Sequence, residues 1–188
     1  MSAKHVVHWC LTRRLDAIDL SSSTDTRDFL ACALSKVNGS PLLQVAVESH
    51  RWFGDFDYGS ETGALQRLEL RIVQDGDGNV YVGEVKAATE VRHGRGVYLQ
   101  VAGFVELYEG WWRDGVREGR GRCSGGSGMV YDGDFLGGQW HGKGTLRLKD
   151  GTMYEGGFKA SKREGEGLVT QPNGDREKGY FFDNQAIG

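Results

Sequence analysis

Three consecutive segments of this chain align without gaps at a period of 23 residues, starting at Tyr108, Tyr131 and Tyr154. They read YEGWWRDGVREGRGRCSGGSGMV, YDGDFLGGQWHGKGTLRLKDGTM and YEGGFKASKREGEGLVTQPNGDR. With the tyrosine as position 1, an aromatic recurs at position 5 as Trp112, Phe135 and Phe158, and glycine recurs at positions 3, 12 and 14. Self-similarity at such a period means a repeat architecture, in which each unit is one supersecondary element that buries its surface against its neighbours. The template extends both ways. Glu177, Gly179, Phe181 and Asn184 begin a truncated last unit. Upstream, Tyr81, Gly83, Val85, His93, Gly94 and Gly96 form a unit with two extra residues in its turn. A weaker one begins at Trp52, with Gly54, Phe56, Gly59 and Gly63, and Leu65 where the last glycine should stand.

Of the 30 glycines in 188 residues only Gly39 precedes position 50, so the chain divides into residues 1–50 and an array over 51–188 with units starting near 52, 81, 108, 131, 154 and 177. Positions 1, 3 and 5 share one face of a strand, because side chains alternate with period two. A glycine between two aromatics weakens a strand, so its recurrence implies that a ring, most simply from a neighbouring strand, lies over the bare backbone. The polar, glycine-rich stretch after position 5 suits a hairpin turn, and Asp150-Gly151 and Asn173-Gly174 suit the turns between units. These signals predict a mainly β fold: a single-layer, meandering antiparallel sheet of about eleven strands. Its expected aromatic spine is Trp52, Phe56, Tyr81, Tyr108, Trp112, Tyr131, Phe135, Tyr154 and Phe158.

The pattern Tyr-x-Gly-x-Trp/Phe followed by a turn and His-Gly-x-Gly resembles the MORN (membrane occupation and recognition nexus) repeat. The best copies are YDGDF with HGKG and YEGWW with EGRG. Departures are Val85 for the aromatic, Glu177 for the tyrosine, Glu118, Glu164 and Thr62 for the histidine, and long connections after Leu65 and Gly96. The resemblance implies recognition rather than catalysis. Similar proteins are scaffolds in cilia and flagella, including radial-spoke components, and in protist cytoskeletons, junction proteins between membranes, or regulatory arrays attached to lipid kinases and a lysine methyltransferase. The expected function is therefore a non-catalytic adaptor that docks proteins of a large axonemal or cytoskeletal assembly. The expected location is the cytoplasm, at a cytoskeleton, cilium or flagellum.

Positions 2 and 4 point to the other face, which is acidic in mid-array at Glu84, Glu109, Asp132, Asp134 and Glu155, while position 13 is basic at Arg95, Arg120 and Lys143. Two readings stand. Opposed columns favour cross-strand pairing; alternatively Arg117, Arg120, Arg122, Lys143, Arg147 and Lys149 form a groove for an anionic phospholipid. Position 2 is apolar only in the first two units, as Phe53 and Val82. Within residues 1–50 a helix is expected over about 25–38, where Asp25 caps and Phe29, Leu30, Ala33, Leu34 and Val37 share a stripe. It would cap the sheet at its apolar end; docking on a partner is the other reading.

Large residues off the repeat columns, Trp111 and Trp140 in a turn, mark expected partner contacts; Phe181 and Phe182 in the last half unit are further candidates, at an edge that could also pair with a second copy. A net charge of −3 and a pI near 6.0 argue against a nucleic-acid partner, which needs a basic surplus or face. Cys10, Cys32 and Cys123 are too widely spaced for a metal site and read as free thiols of a reducing compartment. Residues 137–144 only imitate a phosphate loop, since Gly144 replaces the Ser or Thr that would hold magnesium. Residues 75–79 imitate a calcium loop that Val80 and Lys86 spoil. No catalytic, metal or cofactor site is expected.

Overall fold

Residues 68–101 and 103–187 are described in the computed structural model of the chain. The expected helix over 25–38 and the unit at Trp52, with Phe56, lie outside the described residues. The described chain forms β1 (Leu68–Gln74), β2 (Val80–Lys86), β3 (Arg92–Gln100), β4 (Glu106–Arg113), β5 (Val116–Gly125), β6 (Val130–Leu136), β7 (Gln139–Arg147), β8 (Met153–Lys159), β9 (Lys162–Thr170), β10 (Arg176–Phe182) and β11 (Gln185–Ala186). These pair in chain order, each antiparallel to the next, in one open sheet. Much of what the template left as a connection after Leu65 is a strand: β1 runs along β2 from Leu68↔Lys86 to Gln74↔Val80. Strand β3 likewise continues past Gly96 to Gln100. The physical reason is shared: an open sheet edge leaves N–H and C=O groups unpaired until another strand covers it.

The 23-residue period is visible in the turns. Asp114-Gly115, Gly137-Gly138, Ala160-Ser161 and Asp183-Asn184 join the two strands of successive units, and all eight residues have positive φ. Two-residue turns with both φ positive match the right-handed twist of the flanking strands. The first described unit instead uses residues 87–90, two residues more, closed by Lys86 N–H donating to Val91 O at 2.9 Å. Gly128, Gly151 and Gly174, with φ of 82°, 95° and 94°, turn the chain from one unit to the next.

One face of the sheet carries the spine. Tyr81, Tyr108, Tyr131 and Tyr154 at position 1 and Val85, Trp112, Phe135, Phe158 and Phe181 at position 5 are all buried in one cluster. Rings meet edge to face along its length: Tyr108 with Trp112 and with Phe135 at 5.1 Å each, Tyr131 with Phe158 at 5.0 Å, Tyr154 with Phe181 at 4.9 Å. This is the preferred geometry for aromatic quadrupoles and adds about 0.5–1.5 kcal/mol per pair beyond burial. Position 16 closes the cluster with Tyr98, Cys123, Leu146 and Val169.

The ring over each position 3 glycine from Gly83 to Gly156 comes from the same strand, not from a neighbouring one. Each position 1 tyrosine lies back along its own strand, across the position 3 glycine and the position 14 glycine opposite. A Cβ on Gly144 would stand 2.6 Å from Tyr131 Cε2, and one on Gly121 2.6 Å from the Tyr108 hydroxyl. The hydroxyl then donates to the carbonyl of position 4: Glu84 at 2.7 Å, Trp111 at 2.9 Å, Asp134 at 2.9 Å and Gly157 at 3.1 Å. The glycine at position 12 has a different task. Gly94, Gly119, Gly142 and Gly165 have φ of 60–81° where the hairpin register shifts, the backbone of a β-bulge.

Candidate interaction surface

Around the spine sits a column that the sequence reading missed. Position 10, the first-face residue directly opposite position 5, is Arg92, Arg117, Trp140 and Arg163, and each lays a planar group over a spine ring. Arg92 Cζ is 5.1 Å from the Tyr81 centroid and 4.5 Å from that of Tyr98, Arg117 is 4.6 Å from Tyr108, and Arg163 is 5.0 Å from Phe181. In the third described unit an indole takes that place: Trp140 is stacked on Tyr131 at 4.5 Å and 10°. Guanidinium and indole are interchangeable here because both are flat and both favour a ring face. The recurrence of Arg at one register position was the available signal. Trp140 therefore belongs to β7 rather than to a turn, half-buried, with its indole N–H donating to Cys123 Sγ at 3.3 Å. Burial pushes the Cys123 thiol up to about 12, so that sulfur is an unreactive packing atom.

Position 11 explains why His and Glu alternate in the motif. In three of the four described units its side chain supplies an acceptor for the turn of the next unit: His93 Nδ1 takes the Asp114 N–H at 3.3 Å, Glu118 the Gly137 N–H at 3.0 Å, and Glu164 the Asp183 N–H at 3.3 Å. The carbonyl of position 10 takes the following turn N–H, as in Gly138 to Arg117 at 3.0 Å and Ser161 to Trp140 at 2.9 Å. Imidazole and carboxylate thus do one job, stitching tip to tip.

The second face, carrying positions 2, 4, 13 and 15, changes along the sheet. Between β2 and β5 it is buried away from the hairpin tips: Val82, Val97, Leu99 and Leu107 are at most 1% exposed, with Glu109 and Arg122 at 4% and 3%. Its charges there are paired. Glu84 accepts from Arg95 Nη2 at 2.6 Å and from the Arg95 backbone N–H at 2.6 Å, and Asp132 holds both Arg120 at 2.7 Å and Arg122 at 2.8 Å. From β7 to β10 the same face is open. Lys143, Glu155, Glu166 and Lys178 are exposed and, among the described residues, none of the four makes an ion pair.

The six basic residues of the lipid reading are not gathered together. Arg117 lies on the spine face, over Tyr108 and paired with Glu106. Arg120 and Arg122 are taken by Asp132, Arg147 is half-buried on the second face opposite Val130, and Lys149 is exposed beside Gly128 in a turn. Lys143 stands apart, opposite Gly157. Of the expected partner contacts, Phe181 is buried against Tyr154, Trp140 covers Tyr131, Trp111 is half-buried on the second face, and Phe182 is 60% exposed. In the turn at 75–79 the Asp75 carboxylate accepts the Asp77 and Asn79 N–H groups and Asn79 Nδ2. It is held below the usual carboxylate range by the Asn79 hydrogen bond first.

A repeating hairpin built from position 1 tyrosines, three glycine columns and a position 5 aromatic is matched by the MORN repeat model over residues 91–103, 108–130, 131–153 and 154–176. Residues 91–176 carry MORN repeats. The three full matches are the three gapless units read from Tyr108, Tyr131 and Tyr154, and the partial one covers β3 and the residues just after it. No curated protein matches the chain. MORN repeats are a non-catalytic family that mediates contacts with other proteins or with membrane lipids.

Proposed function

We propose that this MORN array is a structural adaptor that docks proteins of a large cytoplasmic assembly, axonemal or cytoskeletal, with the second face as its contact surface. The observation that carries this reading is the switch along that face from closed, internally paired charge to open charge that the chain leaves for something else. Exposed Phe182 and Tyr180, at 60% and 51%, add apolar contact at the same end, where large aromatic residues suit binding hot spots. A lipid headgroup would want an unbalanced basic cluster; here Arg117, Arg120 and Arg122 are each held by a carboxylate.

Proximity labelling from a tagged copy, with imaging of the same copy, tests it. Labelled axonemal or cytoskeletal proteins and loss of that labelling with Phe182→Ala or Trp111→Ala support the adaptor. Labelled membrane proteins, binding to anionic vesicles that collapses with salt, and loss with Arg120→Glu plus Lys143→Glu would replace it by the lipid reading. A second copy as the main neighbour would point to pairing at the C-terminal edge.

A further inference from the structure

A trough of about 610 Å³ runs across β7 to β10 on the second face, lined by Lys143, Glu155, Glu166, Leu168, Lys178 and Tyr180 together with the backbone of three glycines. Its charges break the pattern of the rest of the array. At position 13 the series Arg95, Arg120, Lys143 ends in Glu166; at position 2 the series Glu109, Asp132, Glu155 ends in Lys178. Arg120 lies opposite Asp134 and pairs with Asp132 at 2.7 Å; Lys143, at the same position one unit later, lies opposite Gly157, which presents no side chain, and makes no ion pair with Glu155, the residue at the Asp132 position. Across four successive strands the trough therefore shows base, acid, acid, base, with Leu168 and Tyr180 as apolar ground between.

We propose that the trough receives an α-helical segment of a partner protein, laid across the strands with its facing charges in the order acid, base, base, acid. This deepens the adaptor reading and rests on it. A small molecule does not suit a trough whose charges are exposed, since such ligands lose most of their surface to a pocket. Nor does an extended strand: β7 to β10 satisfy one another's backbone groups, so a strand lying on the face would find no N–H or C=O to pair with. A helix brings its backbone already satisfied. Three strand spacings of about 4.8 Å separate β7 from β10, roughly 14 Å, which a helix covers in about ten residues. One strand spacing is about three residues, so residues near i, i+3, i+7 and i+10 of one helix face meet the four charges in turn.

Two stapled helical peptides of one composition test this, one with Glu, Lys, Lys and Glu at those four places and one with Lys, Glu, Glu and Lys. The proteins are the full chain and the full chain with Lys143→Glu, Glu155→Lys, Glu166→Lys and Lys178→Glu, all exposed positions, with melting curves to confirm folding. The unaltered chain should bind the first peptide at least about tenfold tighter than the second, from about twofold to threefold for each exposed pair. The inverted chain should reverse that preference, and both preferences should fade with added salt. Equal binding of the two peptides, no reversal, or no binding of either overturns the proposal. The two readings fail separately. If the four inversions leave proximity labelling unchanged, the adaptor stands and the helix in the trough falls. If no assembly partners are labelled at all, the adaptor falls, whatever the peptides do.

Discussion

Between β2 and β5 the second face is shut, and between β7 and β10 it is open, although the same repeat builds both. Val82, Val97 and Leu99 are fully buried, while the residues at the same positions three units later, Glu155, Leu168 and Thr170, are exposed or half-buried. The spine face shows no such break: Tyr81 is 1% exposed, Tyr154 3% and Phe158 4%. The lesson is a division of labour between the two sides of one strand. Positions 1, 3, 5, 12 and 14 are held by packing and close backbone approach, so they repeat. Positions 2, 4, 13 and 15 meet no such demand and are free to differ from unit to unit, which is where recognition can be written.

If the spine face is uniform, Phe135→Ala and Phe158→Ala should cost about the same, roughly 3–5 kcal/mol each. Denaturant unfolding that finds one of them nearly silent would show that the spine does not carry both halves equally. A sharper contrast is expected on the second face, where Val97→Asp would place a carboxylate at a fully buried site and cost about 3 kcal/mol. Leu168→Asp, at the equivalent half-open position, should stay within about 1 kcal/mol. Equal costs would erase the difference between closed and open halves.

The tyrosines offer a pH test. Burial raises Tyr81, Tyr108, Tyr131 and Tyr154 above the ordinary value of 10.0, so the folded chain holds these protons more tightly than the unfolded one. Their contribution is complete below about pH 10 and is lost as pH rises above it. Melting temperature should therefore fall in alkaline solution, with tyrosinate absorbance appearing together with loss of the fold. Tyrosinate that appears while the sheet stays intact would mean that the hydroxyls are not buried. The smallest effect lies in the open half. Ala160, with φ of 49°, stands where a two-residue turn prefers Asn, so Ala160→Asn should stabilise by about 0.5–1 kcal/mol, readable as a rise of a few degrees in melting temperature. An unchanged or lower value would argue that the turn relaxes.

Period, pairing order and spine were legible in the residues because local rules dictate them. Two-residue side-chain alternation sets the faces, turn dipeptides set the hairpins, and the recurrence of Tyr, Gly and Phe sets which face is buried. The role of each glycine was legible only in part: the bare backbone was expected, but the ring that needs it is the tyrosine two residues earlier in the same strand. That depends on a side-chain rotamer and a hydroxyl reaching the position 4 carbonyl. The position 10 column was hidden for a similar reason, since Arg92, Arg117 and Arg163 look like surface charges until the strands place them over the rings, and Trp140 looks like a turn residue until it is seen in β7, stacked on Tyr131.

By itself the sequence determined the unit, its hairpin and the sheet that such hairpins must make, because these follow from contacts within one unit and with the next. Only the tertiary structure decided which charges are spent inside the molecule and which remain for a partner. Arg120 and Lys143 occupy the same repeat position, yet Arg120 pairs with Asp132 while Lys143, opposite Gly157, makes no ion pair with the corresponding Glu155. Pairing across strands depends on register, bulge and the side chain opposite, and those are properties of the assembled sheet.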